Sequence, residues 1–197
     1  MSILSWVSVL SLLAILYSLF LLIPISKRNR SAYLILLSLA IVLYGGSSLT
    51  YLIRPNSSVV IRWFNFTSLV FIISSLFAMI RDSKPIFARF PSYLIYLPFV
   101  TLLFFPLVVD QTVITNLLLG TFQAGSILVA VMMYSINHIK NGKNLIQLIG
   151  VGLFFGALII FWFTPLNLEN KTLISELLVL TGLLILSVGI RKKYQIK

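Results

Sequence analysis

The sequence predicts an all-α integral membrane protein, folded as a compact bundle of seven transmembrane helices. Hydrophobic residues make up 59% of the 197 residues and charged residues only 10%, whereas a soluble domain carries about 25% charged residues. The apolar residues form seven runs, and nearly all basic residues lie on alternate connections between them. We therefore expect one transmembrane domain over residues 1–197, with no soluble domain.

Each apolar run is close in length to the roughly 20 residues that an α-helix needs to cross a bilayer. The fourth run is the shortest and contains Pro98 and Pro106, which a membrane helix accommodates where neighbouring groups satisfy the freed carbonyl oxygen. The predicted spans cover residues 3–23, 32–53, 63–80, 93–109, 112–136, 145–164 and 172–190.

The basic residues predict one orientation. Twelve of the fifteen follow spans 1, 3, 5 or 7, and only Arg54, Arg62 and Lys171 lie on the other side. Because basic loops face the cytoplasm, the N-terminus is predicted outside and the C-terminus inside, which requires an odd number of spans. The first span has no basic stretch before it and no clear cleavage site, so we expect an anchor rather than a cleaved signal peptide.

The residue chemistry argues against several classes of protein. Cysteine is absent and the single histidine, His138, lies in a predicted loop, so we expect no haem and no other metal site. The last span contains no lysine that could bind retinal, and the four acidic residues share no catalytic motif. We therefore expect no cofactor and no enzymatic activity. The net charge of +11 is explained by the loops and does not indicate binding of nucleic acid.

The fifth span carries a polar stripe. At about 100° per residue, Thr112, Asn116, Gly120 and Gln123 fall within an arc of about 80°, and Gln123 is predicted near the middle of the bilayer. An amide at that depth needs a partner inside the bundle. Two interpretations remain open: a clamp between helices, with Gly120 admitting a close neighbour, or a surface that contacts a ligand.

Two pairs of glycines indicate close helix packing. The sixth span contains the spacing Gly152-x-x-x-Gly156, which leaves a groove for another helix, either inside the bundle or at a dimer interface. Gly45 and Gly46 are adjacent in the outer half of the second span. They predict either ordinary close packing or a bend or cavity.

Glu176 and Arg62 are charged residues predicted near the outer surface, at the starts of spans 7 and 3. An acid inside a membrane span is a candidate functional residue, so the two side chains are predicted either to form an interfacial ion pair or to contribute to a ligand site. The outer connections also contain Asn56 and Asn170 in the pattern for N-glycosylation.

The order of these features resembles the seven-transmembrane N-terminal sensor module of prokaryotic histidine kinases. The residues that carry the resemblance are the basic connection SKRNRS after the first span and the segment RWFNFTSLVFIISSLFAMIRDSK, in which Trp63 opens the third span. The resemblance implies a sensor with an outside N-terminus. Kinase domains follow the seventh helix in that family, and this chain has none there, so signalling would pass through a separate partner.

Three functions are compatible with this sequence. We favour a non-catalytic accessory or scaffold subunit of a larger membrane complex, in the plasma membrane of a prokaryote. Its partners would be the lipid bilayer and either other membrane protein subunits or further copies of itself. The alternatives are a sensor-like module that signals through a partner, and a small-solute transporter with a continuous polar cavity.

Overall fold

The computed structural model describes residues 3–54, 57–83, 91–141, 144–165 and 167–195, and all the regular structure in these ranges is helical. The predictions about Asn56, Lys84, Arg89, Lys143 and Lys197 concern residues outside them. The helices are α1 (Ile3–Asn29), α2 (Ala32–Ile53), α3 (Ser58–Ser83), α4 (Ser92–Leu107), α5 (Thr112–Asn141), α6 (Leu145–Phe163) and α7 (Leu168–Gln195).

Six of these helices, all except α4, are long and apolar enough to cross a membrane. Large apolar side chains on them face outward, such as Phe20, which is 73% exposed. Water would make this exposure unfavourable, whereas acyl chains solvate it, and the helical backbone satisfies its own hydrogen bonds. The chain is therefore a multi-pass helical membrane protein.

The first helix is longer than its apolar run. It continues through Pro24 and ends at Asn29, with Lys27 and Arg28 in its last turn. Cations at the C-terminal end of a helix interact favourably with the negative pole of its dipole. Arg30 then adopts a left-handed backbone conformation with φ 47°, which lets the chain turn into α2 after only two residues.

The fourth helix differs in geometry from the others. It begins as a 3₁₀-helix over Ser92–Val100, forms one α-helical turn over Thr101–Phe104 and ends as a 3₁₀-helix over Phe105–Leu107. Its two prolines, Pro98 and Pro106, lack the backbone N–H that would continue the hydrogen-bond ladder. Thr101 Oγ1 donates an additional hydrogen bond to the carbonyl oxygen of Pro98 over 2.6 Å. The weak apolar signal of this segment thus corresponds to a helix with a tighter winding than the α-helix.

The Cα positions group into two compact units, each described by itself. One unit contains residues 1–25 and 127–197, and the other contains residues 26–126. Helices α1 and α5 each contribute residues to both units. The prediction of one seven-helix domain stays a prediction.

An aromatic cluster forms the core of the unit that contains residues 26–126. The ring of Phe66 on α3 stacks on Phe105 of α4 with centroids 4.1 Å apart, and Trp63 meets Phe105 edge-on at 4.9 Å. Phe122 of α5 approaches Phe66 at 5.6 Å. Aromatic pairs contribute about 0.5–1.5 kcal/mol each beyond the area they bury, so these contacts hold α4 and the ring of Phe122 on α5 against α3.

Candidate functional site

The helices α6 and α7 approach each other through glycines. A Cβ atom built on Gly150 would lie 2.9 Å from the carbonyl oxygen of Gly182, and one built on Gly182 would lie 2.8 Å from the carbonyl oxygen of Gly150. Both distances are too short for a real side-chain carbon, so only glycine permits this contact of two backbones. Close approach of this kind exposes carbonyl oxygens of one helix to side chains of the other.

One side chain uses an exposed carbonyl oxygen of this kind. Gln147 on α6 is 3% exposed, and its Nε2 donates a hydrogen bond to the carbonyl oxygen of Gly189 over 2.8 Å. A Cβ on Gly189 would lie 3.1 Å from the backbone nitrogen of Gln147, so the glycine leaves room for the amide. Gln147 is therefore an interhelical clamp, and the sequence analysis did not single it out. The sequence signal for this clamp is the seven-residue spacing of Gly182 and Gly189 on α7. In the structure Gly182 lies against Gly150 and Gly189 lies against Gln147.

The glycine pair that the sequence analysis did single out lies on another face of α6. Gly152 is exposed, and no heavy atom lies within 4 Å of a Cβ built on it. The only contact within 4 Å of a Cβ on Gly156 is Leu178 Cδ1, at 4.0 Å. Tight packing inside the unit therefore occurs at Gly150 and not at Gly152. The alternative, an interface with another chain at Gly152 and Gly156, stays a prediction.

Gly45 and Gly46 lie within a continuous α2. Gly45 is buried, and a Cβ on Gly46 would lie 2.7 Å from Cε1 of Phe64, so the ring of α3 packs directly on the backbone of α2. Further along the same pair of helices, Ser68 Oγ donates to the carbonyl oxygen of Ala40 over 2.9 Å. The two glycines thus serve close packing and do not interrupt the helix.

The polar stripe of α5 is divided between different environments. Asn116 is exposed, while Gly120 and Gln123 are half-buried. Ser126 Oγ donates to the backbone carbonyl oxygen of Gln123, and no residue in the described ranges forms a hydrogen bond with the Gln123 amide. Gln123 is thus partly buried, and its predicted hydrogen bond to a neighbouring helix stays a prediction.

The buried polar contact of α5 is made by Thr115 instead. Its side chain is fully buried, and Oγ1 donates to the carbonyl oxygen of Val108 over 2.6 Å. Arg62 on α3 donates from Nη1 to the neighbouring carbonyl oxygen of Val109 over 2.9 Å. Two donors therefore satisfy the carbonyl oxygens at the end of α4, and the cation also favours the negative pole of that helix.

Glu176 is half-buried near the start of α7, and its pairing with Arg62 stays a prediction. Among the described residues, no group of three or more His, Cys, Asp or Glu side chains is arranged to hold a metal ion. The side chains of Arg62, Ser68, Thr115 and Gln147 all donate to backbone carbonyl oxygens. The chain matches no protein-family model, no curated protein and no solved structure with which it was compared.

Proposed function

We propose that this protein is a non-catalytic accessory or scaffold subunit of a larger membrane complex in a prokaryotic plasma membrane. The observation that carries the proposal is how its buried polar groups are used. Side-chain hydrogen bonds to backbone carbonyl oxygens connect segments that are distant in sequence or belong to different elements. Such bonds include those from Arg62 to Val109, from Ser68 to Ala40, from Thr115 to Val108 and from Gln147 to Gly189.

Such bonds are typical of side chains with a structural role. An amide, a hydroxyl or a guanidinium group that donates to the backbone of a neighbouring helix holds two helices in register. Each bond contributes only about 0.6 kcal/mol on average, but together with the glycine contacts they define rigid helical pairs. A rigid bundle with a large apolar exterior is suited to pack against other membrane subunits.

We further propose that α4 is a seventh span. A 3₁₀-helix rises about 2.0 Å per residue, against about 1.5 Å in an α-helix. With its two 3₁₀ stretches, the segment Ser92–Leu107 extends about 30 Å, which equals the thickness of the hydrocarbon core. The tighter winding therefore compensates for the small number of residues.

Seven spans agree with the charge distribution. Lys27 and Arg28 end α1, Arg81 lies in the last turn of α3, and Lys192 and Lys193 lie in the last turn of α7. The three helices would end at the same membrane surface if α4 crosses. The positive-inside rule then supports an outside N-terminus and an inside C-terminus.

A sensor-like module is the second candidate, and one observation favours it. The 3₁₀ stretch Ser92–Val100 is nine residues long, whereas such stretches seldom exceed about four residues and often mark a functional hinge. Phe99 within it meets Phe71 of α3 edge-on at 4.7 Å, so a change in winding would be transmitted to α3. A ligand-dependent change in labelling of a cysteine at Val100, in the absence of any stable partner, would favour this candidate.

Purification tests the subunit proposal. The tagged protein is expressed at its native level, extracted with a gentle detergent, and its co-purifying chains are identified and quantified. We expect one or more membrane proteins in a fixed ratio to this chain. A second extraction in a harsher detergent that separates the subunits serves as the control. A chain that purifies alone in the gentle detergent would contradict the proposal.

A further inference from the structure

A groove runs between α1 and α7 within one compact unit. It is a shallow, open groove of about 450 Å³, lined largely by leucines, including Leu10 and Leu13 on α1 and Leu177 and Leu184 on α7. Tyr17 and Thr181 are the two lining residues with polar side-chain atoms. Among the described residues, this groove is a site where two membrane helices leave a concave apolar surface open.

By position in the sequence, the groove falls near the middle of two candidate membrane spans. The candidate spans of its two helices are Trp6–Asn29 and Asn170–Tyr194, and Tyr17 and Thr181 lie close to the centre of each. At that depth the surroundings are hydrocarbon, and the ester groups of lipids lie roughly 15 Å away at the interface. Any polar atom here depends on protein for a hydrogen bond.

The two hydroxyl groups of the groove differ in how they are satisfied. Thr181 Oγ1 donates to the carbonyl oxygen of Leu177, one turn earlier in its own helix, over 2.8 Å. Tyr17 is 50% exposed, and its hydroxyl group has no hydrogen-bond partner in the described part of the chain. A tyrosine ring is too stiff to reach back to its own helix backbone, so the acceptor has to come from outside α1.

An acyl chain fills an apolar groove but offers no hydrogen-bond acceptor at this depth. A helix can fill the same groove and also offer an acceptor. The clamps described above, Gln147 to Gly189 and Thr115 to Val108 among them, are donors that bind a backbone carbonyl oxygen. Tyr17 is a potential donor of the same kind that has no carbonyl partner among the described residues. Its hydroxyl group thus distinguishes a polypeptide from a lipid as the occupant.

We propose that the groove between α1 and α7 is the docking surface for a transmembrane helix of a partner protein. The leucines pack against the apolar face of that helix, and the Tyr17 hydroxyl donates to an acceptor on it at mid-membrane. A carbonyl oxygen left open by a small residue, or a serine or asparagine oxygen, provides such an acceptor. This inference rests on the proposed subunit function and names the surface that carries it.

Photo-crosslinking in native membranes tests the proposal. A benzophenone side chain replaces Leu13 in the groove, and a matched control carries it at Leu39, which is exposed on α2. The crosslinked peptide is sequenced by mass spectrometry. We expect the Leu13 probe to capture one peptide from an apolar membrane-spanning segment of another protein, while the Leu39 probe captures lipid. Tyr17→Phe keeps the ring and removes the donor, so it should reduce the crosslinked fraction about threefold.

Three results would overturn the proposal: adducts with lipid alone, adducts with a peptide of this same chain, or a yield that Tyr17→Phe leaves unchanged. The purification described above separates this failure from failure of the subunit function. If partners co-purify but the Leu13 probe captures only lipid, the groove is not their docking surface. If nothing co-purifies, both proposals fall.

Discussion

The side-chain amide of Gln147 on α6 donates to the backbone carbonyl oxygen of Gly189 on α7 over 2.8 Å, and the amide is almost completely buried. Gly189 lacks the Cβ that would crowd the amide. The pair therefore depends on both residue types at once, a long donor on one helix and a bare backbone on the other.

Replacing Gln147 with Leu should lower the free energy of unfolding by about 1 kcal/mol, because the carbonyl oxygen of Gly189 loses its partner. Gln123→Leu is the matched control, since the Gln123 amide has no described partner. It should change the free energy of unfolding by no more than about 0.5 kcal/mol. Denaturant titration in detergent micelles measures both values. Equal losses in the two variants would contradict the assignment of Gln147 as the clamp.

Gly150→Ala should destabilise the protein, whereas Gly152→Ala should not. Gly150→Ala places a carbon 2.9 Å from the backbone of α7, and the resulting overpacking should cost about 1–3 kcal/mol. The carbon added by Gly152→Ala meets no atom within 4 Å. The free energy of unfolding of the isolated variant should therefore lie within about 0.5 kcal/mol of that of the original protein. The same titration measures both variants. A strongly destabilised Gly152→Ala protein would show that another helix packs there.

Thr115→Val removes the donor to Val108 but keeps the shape of the side chain. We expect a loss of about 1 kcal/mol in the free energy of unfolding, because the partly buried carbonyl oxygen of Val108 loses one of its two hydrogen bonds. The backbone amide of Gln111, which donates to the same carbonyl oxygen over 3.0 Å, should exchange its hydrogen faster. Thr121→Val is the control, since the exposed Thr121 bonds only within its own helix, to Leu117. Unchanged exchange at Gln111 would argue against Thr115 as the residue that holds the end of α4.

Single cysteines test whether α4 crosses the membrane, and the natural chain contributes no background because it contains no cysteine. Ser92→Cys and Asp110→Cys flank the segment and are both exposed positions. In intact cells, an impermeant maleimide should label the cysteine at position 110 and leave the one at position 92 unlabelled until the membrane is opened. Labelling of both from outside would mean that α4 returns to the side where it began.

The orientation is tested in the same assay with Arg54→Cys and Lys192→Cys. Because the loop containing Arg54 is predicted outside and the last turn of α7 inside, only the cysteine at position 54 should react in intact cells. Both should react after permeabilisation, which serves as the control for accessibility. The reverse pattern would refute the outside N-terminus, whatever the number of spans.

Residue order alone determined that this chain is helical and belongs in a membrane. A run of about 20 apolar residues satisfies its backbone within the helix and is solvated by lipid, and neither effect depends on which helix lies beside it. The bounds of α2 were accordingly predicted correctly as Ala32–Ile53. The winding of α4 was not predicted, since its prolines indicate a distorted helix without specifying whether it becomes 3₁₀ or kinked α.

Only the tertiary structure decided which polar residues act as clamps. Gln123 and Gln147 are the same side chain in two apolar helices, and periodicity favoured Gln123 because it shares a stripe with other polar residues. The difference lies in the neighbour, since a donor forms an interhelical bond only where another backbone comes within about 3 Å. Gly182 and Gly189 bring α7 that close to one face of α6, and this places Gly150 rather than Gly152 in the contact. Sequence specifies the glycines, but the relative rotation of the two helices determines which of them meet.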